Sequence, residues 1–142
     1  MMDYFEINGT TFIRPYRGKR KDNHTWIEGD LLHGEKEIFI YCSPHFGPIV
    51  DPDTIGQAVG YTDDNGNEIF SGDIVRVSTS QIFTDFAVGY ITMIDCKYVI
   101  KCQHYNLTFT EINAAHHGSI EIIGNIYDNI DLVEQYNLPM FV

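Results

Sequence analysis

Residues 61–77, YTDDNGNEIFSGDIVRV, decide the fold. The first half gathers Asp63, Asp64, Asn65, Gly66 and Asn67. Short polar side chains there bond to nearby backbone, and glycine accepts a positive φ, so the chain turns. The second half passes through Ser71-Gly72-Asp73 into Ile74-Val75-Arg76-Val77, a β-branched run too short for a helix. Gly66 is expected to hold a positive φ angle, and Gly72 to let the chain bend. Asp73 is expected to accept backbone hydrogen bonds at that bend. Two strands with only turn chemistry between them point to a β-fold whose neighbours need no crossover helix.

The same grammar extends in both directions. Upstream, residues 3–7 and 10–14 read as a hairpin closed by Asn8-Gly9, a type I′ signal. That hairpin makes 16–23 a loop or arm leaving the first sheet. Residues 26–32 and 38–42 form a second hairpin through the turn 33–36, and 55–61 form a short strand. Between them, Pro44, Pro48 and Pro52 remove donors and restrain their predecessors, predicting an irregular crossing loop over 43–54.

Downstream, strands are predicted over 86–95, 98–103, 107–112 and 120–127, with Tyr98, Ile100 and Cys102 facing the core. Gly124 lies between Ile122 and Ile126, where it permits a bulge or a close backbone approach. Asn129 or Asp131 can cap a short final helix through Tyr136. Glu134 stands three positions after Asp131, and Pro139 ends the helix. The expected fold is mainly β: a small, strongly bent sheet or SH3-like partial barrel with an N-terminal β extension and a short C-terminal helix. At 142 residues the chain suits one domain spanning 1–142. Within it, 1–58 form the extension and irregular loop, and 59–142 the barrel-like core.

No apolar run approaches the roughly 18 to 20 residues that cross a bilayer, and the first nine residues lack a signal-peptide profile. A cytoplasmic protein is expected. Three cysteines, Cys42, Cys96 and Cys102, are an odd number, which suits reduced, buried thiols better than a disulfide framework. Net charge is −11, a field that repels phosphate backbones and anionic membranes. Yet Arg14, Arg17, Lys19, Arg20 and Lys21 hold five of the nine basic residues, so an acidic body carries one basic patch.

Several motifs in order carry a family resemblance. They are Tyr16-Arg17-Gly18-Lys19-Arg20, then Trp26 with Gly29 and Leu31, then Val50-Asp51-Pro52-Asp53-Thr54-Ile55-Gly56-Gln57. Gly60 and the run from Asp64 through Ser71-Gly72-Asp73-Ile74-Val75 follow, and Ile123-Gly124-Asn125-Ile126-Tyr127-Asp128-Asn129 closes the series. The chain resembles the YopX family of phage and prophage proteins over roughly residues 14 to 133. It departs where Glu28 and Asp30 flank Gly29, adding charge beside Trp26. The resemblance implies a β-rich, phage-encoded protein of the bacterial host cytoplasm, in a family with no established biochemical role. It supplies no catalytic residues.

For metal binding, Cys42 and His45, Cys102 and His104, and His116-His117 offer ligand types without the knuckle spacing of a zinc site. Structural thiols and surface histidines are expected instead, with no metal and no cofactor. Asp51, Asp53, Asp63, Asp64 and Asp73 could converge on a cation. Asp63, Asn65 and Asn67 resemble the opening of a calcium loop, but the glycine precedes Asn67 and Ile74 stands where the closing glutamate belongs. No nucleophile elbow or phosphate loop is present, so no catalytic residue, enzyme activity or small-molecule substrate is assigned. Arg17, Lys19, Arg20 and Trp26 are the candidate contact residues. Protein binding or self-association into a homo-oligomer is the leading reading, because sheet edges must be covered and an acidic body with a basic patch is self-complementary. Nucleic acid is the alternative partner, through the arm from Arg14 to Lys21, whose five cations could give a salt slope of about −4.5 at most.

Overall fold

The computed structural model describes residues 3–7, 10–43, 46–78, 86–110 and 118–140, and before Arg14 the backbone alone. It is mainly β and divides into two compact units, Met1–Gly60 and Tyr61–Val142.

The first unit opens with a hairpin of β1 (Asp3–Ile7) and β2 (Thr10–Arg14), in register Phe5 opposite Phe12. The predicted closing turn at Asn8-Gly9 lies outside the described residues. After Pro15 the chain forms β3 (Tyr16–Lys19), β4 (Trp26–His33), β5 (Ile38–Tyr41), β6 (Ile49–Val50), a 3-10 turn (Pro52–Thr54) and β7 (Gly56–Thr62). The antiparallel order is β6-β5-β4-β3-β7.

The expected arm at 16–23 is thus corrected: its first four residues are an interior strand, hydrogen-bonded to β4 on one side and β7 on the other. Tyr16 and Gly18 alternate with Arg17 and Lys19, so a strand turns the first pair toward the core and the second to its other face, with Gly18 buried and the other three half-buried. The expected crossing loop is corrected as well, since it contains β6 and the 3-10 turn. That segment curls back onto β3. Asp51 N–H donates to Lys19 O at 2.8 Å, Lys21 N–H donates to Ile49 O at 3.0 Å, and Lys19 N–H donates to Thr54 Oγ1 at 2.9 Å. The bent sheet encloses Ile27, Ile40 and Val50, flanked by Tyr16, Leu31, Ile38 and Ile55. Gly18 faces this interior, where a Cβ would sit 3.2 Å from Ile40 Cδ1 and Val50 Cβ.

The second unit holds β8 (Glu68–Phe70), β9 (Asp73–Ser78), β10 (Ala87–Ile94), β11 (Lys97–Cys102), β12 (Asn106–Thr108) and β13 (Ser119–Asn125). Five of them form an antiparallel sheet in the order β12-β11-β10-β9-β13. Gly66 and Gly72 hold φ of 81° and 95°. The predicted strand over 107–112 is cut to β12, because residues 109 and 110 turn helical; residues 111–117 lie outside the description. Register slips between Ile122 and Gly124, a bulge at the predicted glycine.

Helix α1 (Ile130–Gln135) lays Val133, with Leu138 beyond its end, on Ile74, Val88 and Tyr90. Asn129 is the N-cap position, but its side chain makes no cap bond. Its Oδ1 accepts the Asn125 N–H at 3.0 Å, tying the helix start to β13. Asp131 lies inside the helix rather than at its N-cap, so the expected capping box with Glu134 is absent. The Asn125 N–H at the end of β13 takes the side-chain oxygen that would otherwise cap the helix.

Candidate functional site

The charged residues of the N-terminal unit sit mostly on the outer face of its sheet or at its rim. In β3–β4 pairing, Lys19 stands opposite Trp26 and Arg17 opposite Glu28. Side-chain alternation puts all four on one face. The Arg17 guanidinium lies 4.7 Å from the Trp26 ring centroid and the Lys19 ammonium 5.5 Å away, so both cations use the negative face of the indole. Along the same face Asp30 follows Glu28, Leu32 is 48% exposed, and Tyr41 lies opposite Asp30. The Phe39 and Tyr41 rings are 6.4 Å apart and tilted.

Of the four candidate contact residues, the structure brings together Arg17, Lys19 and Trp26. Arg20 goes elsewhere. It forms a fork with Asp22, Nε to Oδ1 at 2.9 Å and Nη2 to Oδ2 at 2.6 Å, and stacks 4.9 Å from the Phe46 ring centroid. That fork holds the Asp22 carboxyl below its ordinary 3.8. Lys21 reaches Glu37 at 3.4 Å. The two border a cleft of about 460 Å³ with Asp22, Gly47, Pro48 and Ile49. Two of the five cations in the basic segment are thus matched by acidic neighbours, which shrinks the patch that the sequence suggests.

In the C-terminal unit two aspartates, Asp63 and Asp73, turn inward. Asp63 is 5% exposed. Its Oδ1 accepts the N–H groups of Asn65 and Asn67 at 3.0 and 2.8 Å, and its Oδ2 accepts the N–H of Ile122 at 3.1 Å. Burial pushes its carboxyl up, but the donors from Ile122, Asn67 and Asn65 outweigh burial and hold it below the ordinary 3.8. Asp64 N–H donates to Ile120 O at 2.9 Å, so the turn is stitched along β13. Asp73 Oδ2 accepts the Phe70 N–H at 2.8 Å. In the other unit, Asp51 Oδ1 accepts the Asp53 N–H at 3.0 Å, at the start of the 3-10 turn. These aspartates serve backbone donors one by one. Among the described residues no three His, Cys, Asp or Glu side chains converge as metal ligands. His45, His116 and His117 lie outside the described residues.

All three cysteines are free, but only Cys102 is buried; Cys42 and Cys96 are exposed, which corrects the expectation of buried thiols. Burial pushes the Cys102 thiol up to about 11, so it packs as a small apolar group at neutral pH. Cys96 is exposed because it occupies the β10–β11 turn, where Asp95 and Cys96 both hold positive φ, 51° and 64°.

The sequence missed the Trp26 cluster as a sheet face because a run of cations reads as a solvated arm. The usable hint was the alternation of Tyr16 and Gly18 with Arg17 and Lys19.

A family model described as YopX protein matches residues 15–134. The crystal structure of protein EF1440 from Enterococcus faecalis is similar, with a TM-score of 0.57 and 24% identity over 86% of this chain and 99% of that chain. That likeness supports the fold. No curated protein matches the chain.

Proposed function

Since the chain belongs to the YopX family, and its Trp26 face is built from residue types that favour recognition, we infer that it is an accessory binding module. It engages a protein partner through the outer face of the β3–β4–β5 sheet. The observation that carries the reading is the stacking of Arg17 and Lys19 on Trp26, with exposed Leu32 and Tyr41 further along the same face. Tryptophan, tyrosine and arginine are the side chains that dominate interface energetics.

Protein is favoured over nucleic acid on charge. Arg20 and Lys21 are matched by Asp22 and Glu37, and Glu28 shares the face with Arg17 and Lys19. The other three cations of the segment, Arg14, Arg17 and Lys19, would contribute a salt slope of only about −2.7, and the neighbouring carboxylates oppose phosphate. The N-terminal unit carries six basic and nine acidic residues. Recognition rather than catalysis is further supported by the use of Asp63 and Asp73 on backbone donors and by the high-lying Cys102 thiol. Among the described residues no helix is long and apolar enough to cross a membrane. Family membership supports a phage or prophage origin and work in the bacterial cytoplasm.

The test is capture of partners from host cells by the wild-type chain, Trp26→Ala and Arg17→Glu, with and without nuclease. Protein capture that survives nuclease and is lost in both variants supports the reading. Capture abolished by nuclease supports the nucleic-acid alternative, and capture indifferent to both substitutions overturns the face.

A further inference from the structure

The turn between β7 and β8 carries Asn65-Gly66, both exposed, and the binding face makes no use of it. Asparagine before glycine is the pair most open to attack by its own backbone, because no side chain shields the next nitrogen. A Cβ on Gly66 would meet nothing within 4 Å, so the bond lies open to water. The backbone around it is nevertheless held. Gly66 N–H donates to Asp63 O at 3.0 Å, and Asp63 Oδ1 accepts the flanking N–H groups of Asn65 and Asn67 at 3.0 and 2.8 Å. We propose that Asn65 is a site of spontaneous deamidation and that the Asp63 carboxylate holds it in check.

The reaction needs only water. The Gly66 nitrogen gives up its proton and attacks Asn65 Cγ with its electron pair. The bond from Cγ to the side-chain nitrogen breaks, and that nitrogen leaves with the proton as ammonia. A five-membered cyclic imide remains. Water then adds to one of its two carbonyl carbons and breaks that carbon's bond to the Gly66 nitrogen, which regains a proton. Opening at Cγ gives aspartate. Opening at the main-chain carbonyl of residue 65 gives isoaspartate, in which the backbone runs through the former side chain. Nothing is oxidised or reduced.

Asp63 opposes the first step twice over. Its carbonyl occupies the proton that the Gly66 nitrogen must lose, and its carboxylate fixes the backbone on both sides of that nitrogen. Ring closure therefore waits for the turn to open locally. The same carboxylate holds the Ile122 N–H at 3.1 Å and is 5% exposed, so the grip is anchored to β13 and not to the turn alone. Isoaspartate undoes the grip for good. It places one extra backbone atom between the two N–H groups that Oδ1 shares, and it sets a new carboxylate near Asp63 and Asp64.

The experiment is peptide mapping by mass spectrometry of the full chain aged at neutral pH, folded and in urea. Mapping separates Asn65 from Asn8-Gly9, the other such pair in the sequence. Conversion is read from the mass gained when an amide becomes an acid, and isoaspartate from its separate elution. The folded wild type is expected to convert about a hundredfold more slowly than the unfolded chain, and folded Asp63→Ala about tenfold faster than folded wild type. Asp73→Ala is the control for general loosening, since it removes a buried carboxylate that holds Phe70 N–H and leaves the Asn65 turn its own. Its rate is expected within about twofold of wild type. Circular dichroism confirms folding, and where Asp63→Ala does not fold, Asp63→Asn keeps one acceptor oxygen and is expected to age at an intermediate rate. Equal rates in the folded and unfolded wild type, a folded Asp63 variant that ages no faster than wild type, or equal acceleration by Asp73→Ala overturns the proposal. So does an Asn65 that stays unconverted in urea.

Discussion

Both units carry exposed acidic side chains, but they differ in the carboxylates that are best held. In the N-terminal unit, acidic and basic side chains meet each other at the surface, as Arg20 meets Asp22 and Lys21 meets Glu37. In the C-terminal unit, Asp63 and Asp73 are buried and meet backbone N–H groups. Exposed ion pairs contribute little to stability because water and salt screen them and ordering long side chains costs entropy. A buried carboxylate that holds several amides is different, since removing it leaves all of those donors without their partner. Paired charge at the N-terminal rim therefore adds little to the fold, whereas the two buried carboxylates of the C-terminal unit specify it.

The sharpest way to break this contrast is Asp63→Ala. It strands the amides of Asn65, Asn67 and Ile122, and is expected to cost about 3 kcal/mol, read as a lower urea midpoint with an unchanged slope. A loss comparable to that of an exposed substitution would erase the distinction.

Next in size is the acid response. The Asp63 carboxyl titrates below its ordinary 3.8 in the folded chain. Its contribution is thus fully present above 3.8 and is lost as pH falls through the lower folded value. Thermal unfolding across that acid window should show the wild type losing stability more steeply than Asp63→Ala. Parallel curves would show that the carboxylate is not the group responsible.

A smaller effect, of opposite sign, is expected at the β10–β11 turn. Asp95 and Cys96 both hold positive φ, a left-handed conformation that costs a non-glycine residue roughly 1 to 2 kcal/mol. Cys96→Gly relieves one of them and should stabilise the chain by about 0.5 to 1 kcal/mol after the added freedom of the unfolded glycine is counted. A lower denaturation midpoint would refute this.

The smallest effect belongs to the surface. Asp22→Asn weakens the fork with Arg20 and should leave the thermal midpoint unmoved, because Asp22 lies in water. A measurable drop would mean that the rim of the N-terminal sheet bears more of the fold than its exposure implies.

What sequence could reveal follows the same division. Strand periods and the turns at Gly66 and Gly72 were readable, because each depends on residues a few positions apart. The bulge at Gly124 was readable too, since a glycine within a strand pattern has few other uses. β3 was not, because five cations in eight positions outweighed a four-residue alternation. The contact of Asp63 with Ile122 spans 59 positions, and nothing local in either residue announces it. The Trp26 surface was half readable: its residue types were identified, but only pairing with β4 shows that Arg17 and Lys19 share a face with Trp26 while Arg20 is drawn to Asp22.

The stitching of the Asp63–Asn67 turn along β13 bears on how this protein misbehaves. β13, SIEIIGN, has the isoleucine-rich composition of segments that seed fibrils, and a bare strand border is a template for more strands. Asp64 N–H and the Asp63 carboxylate occupy the Ile120 carbonyl and the Ile122 amide, the groups an incoming strand would need first. Two adjacent aspartates thus shield the chain from templated growth, and conditions that loosen them should shorten the lag before amyloid dye fluorescence rises well before the protein unfolds globally.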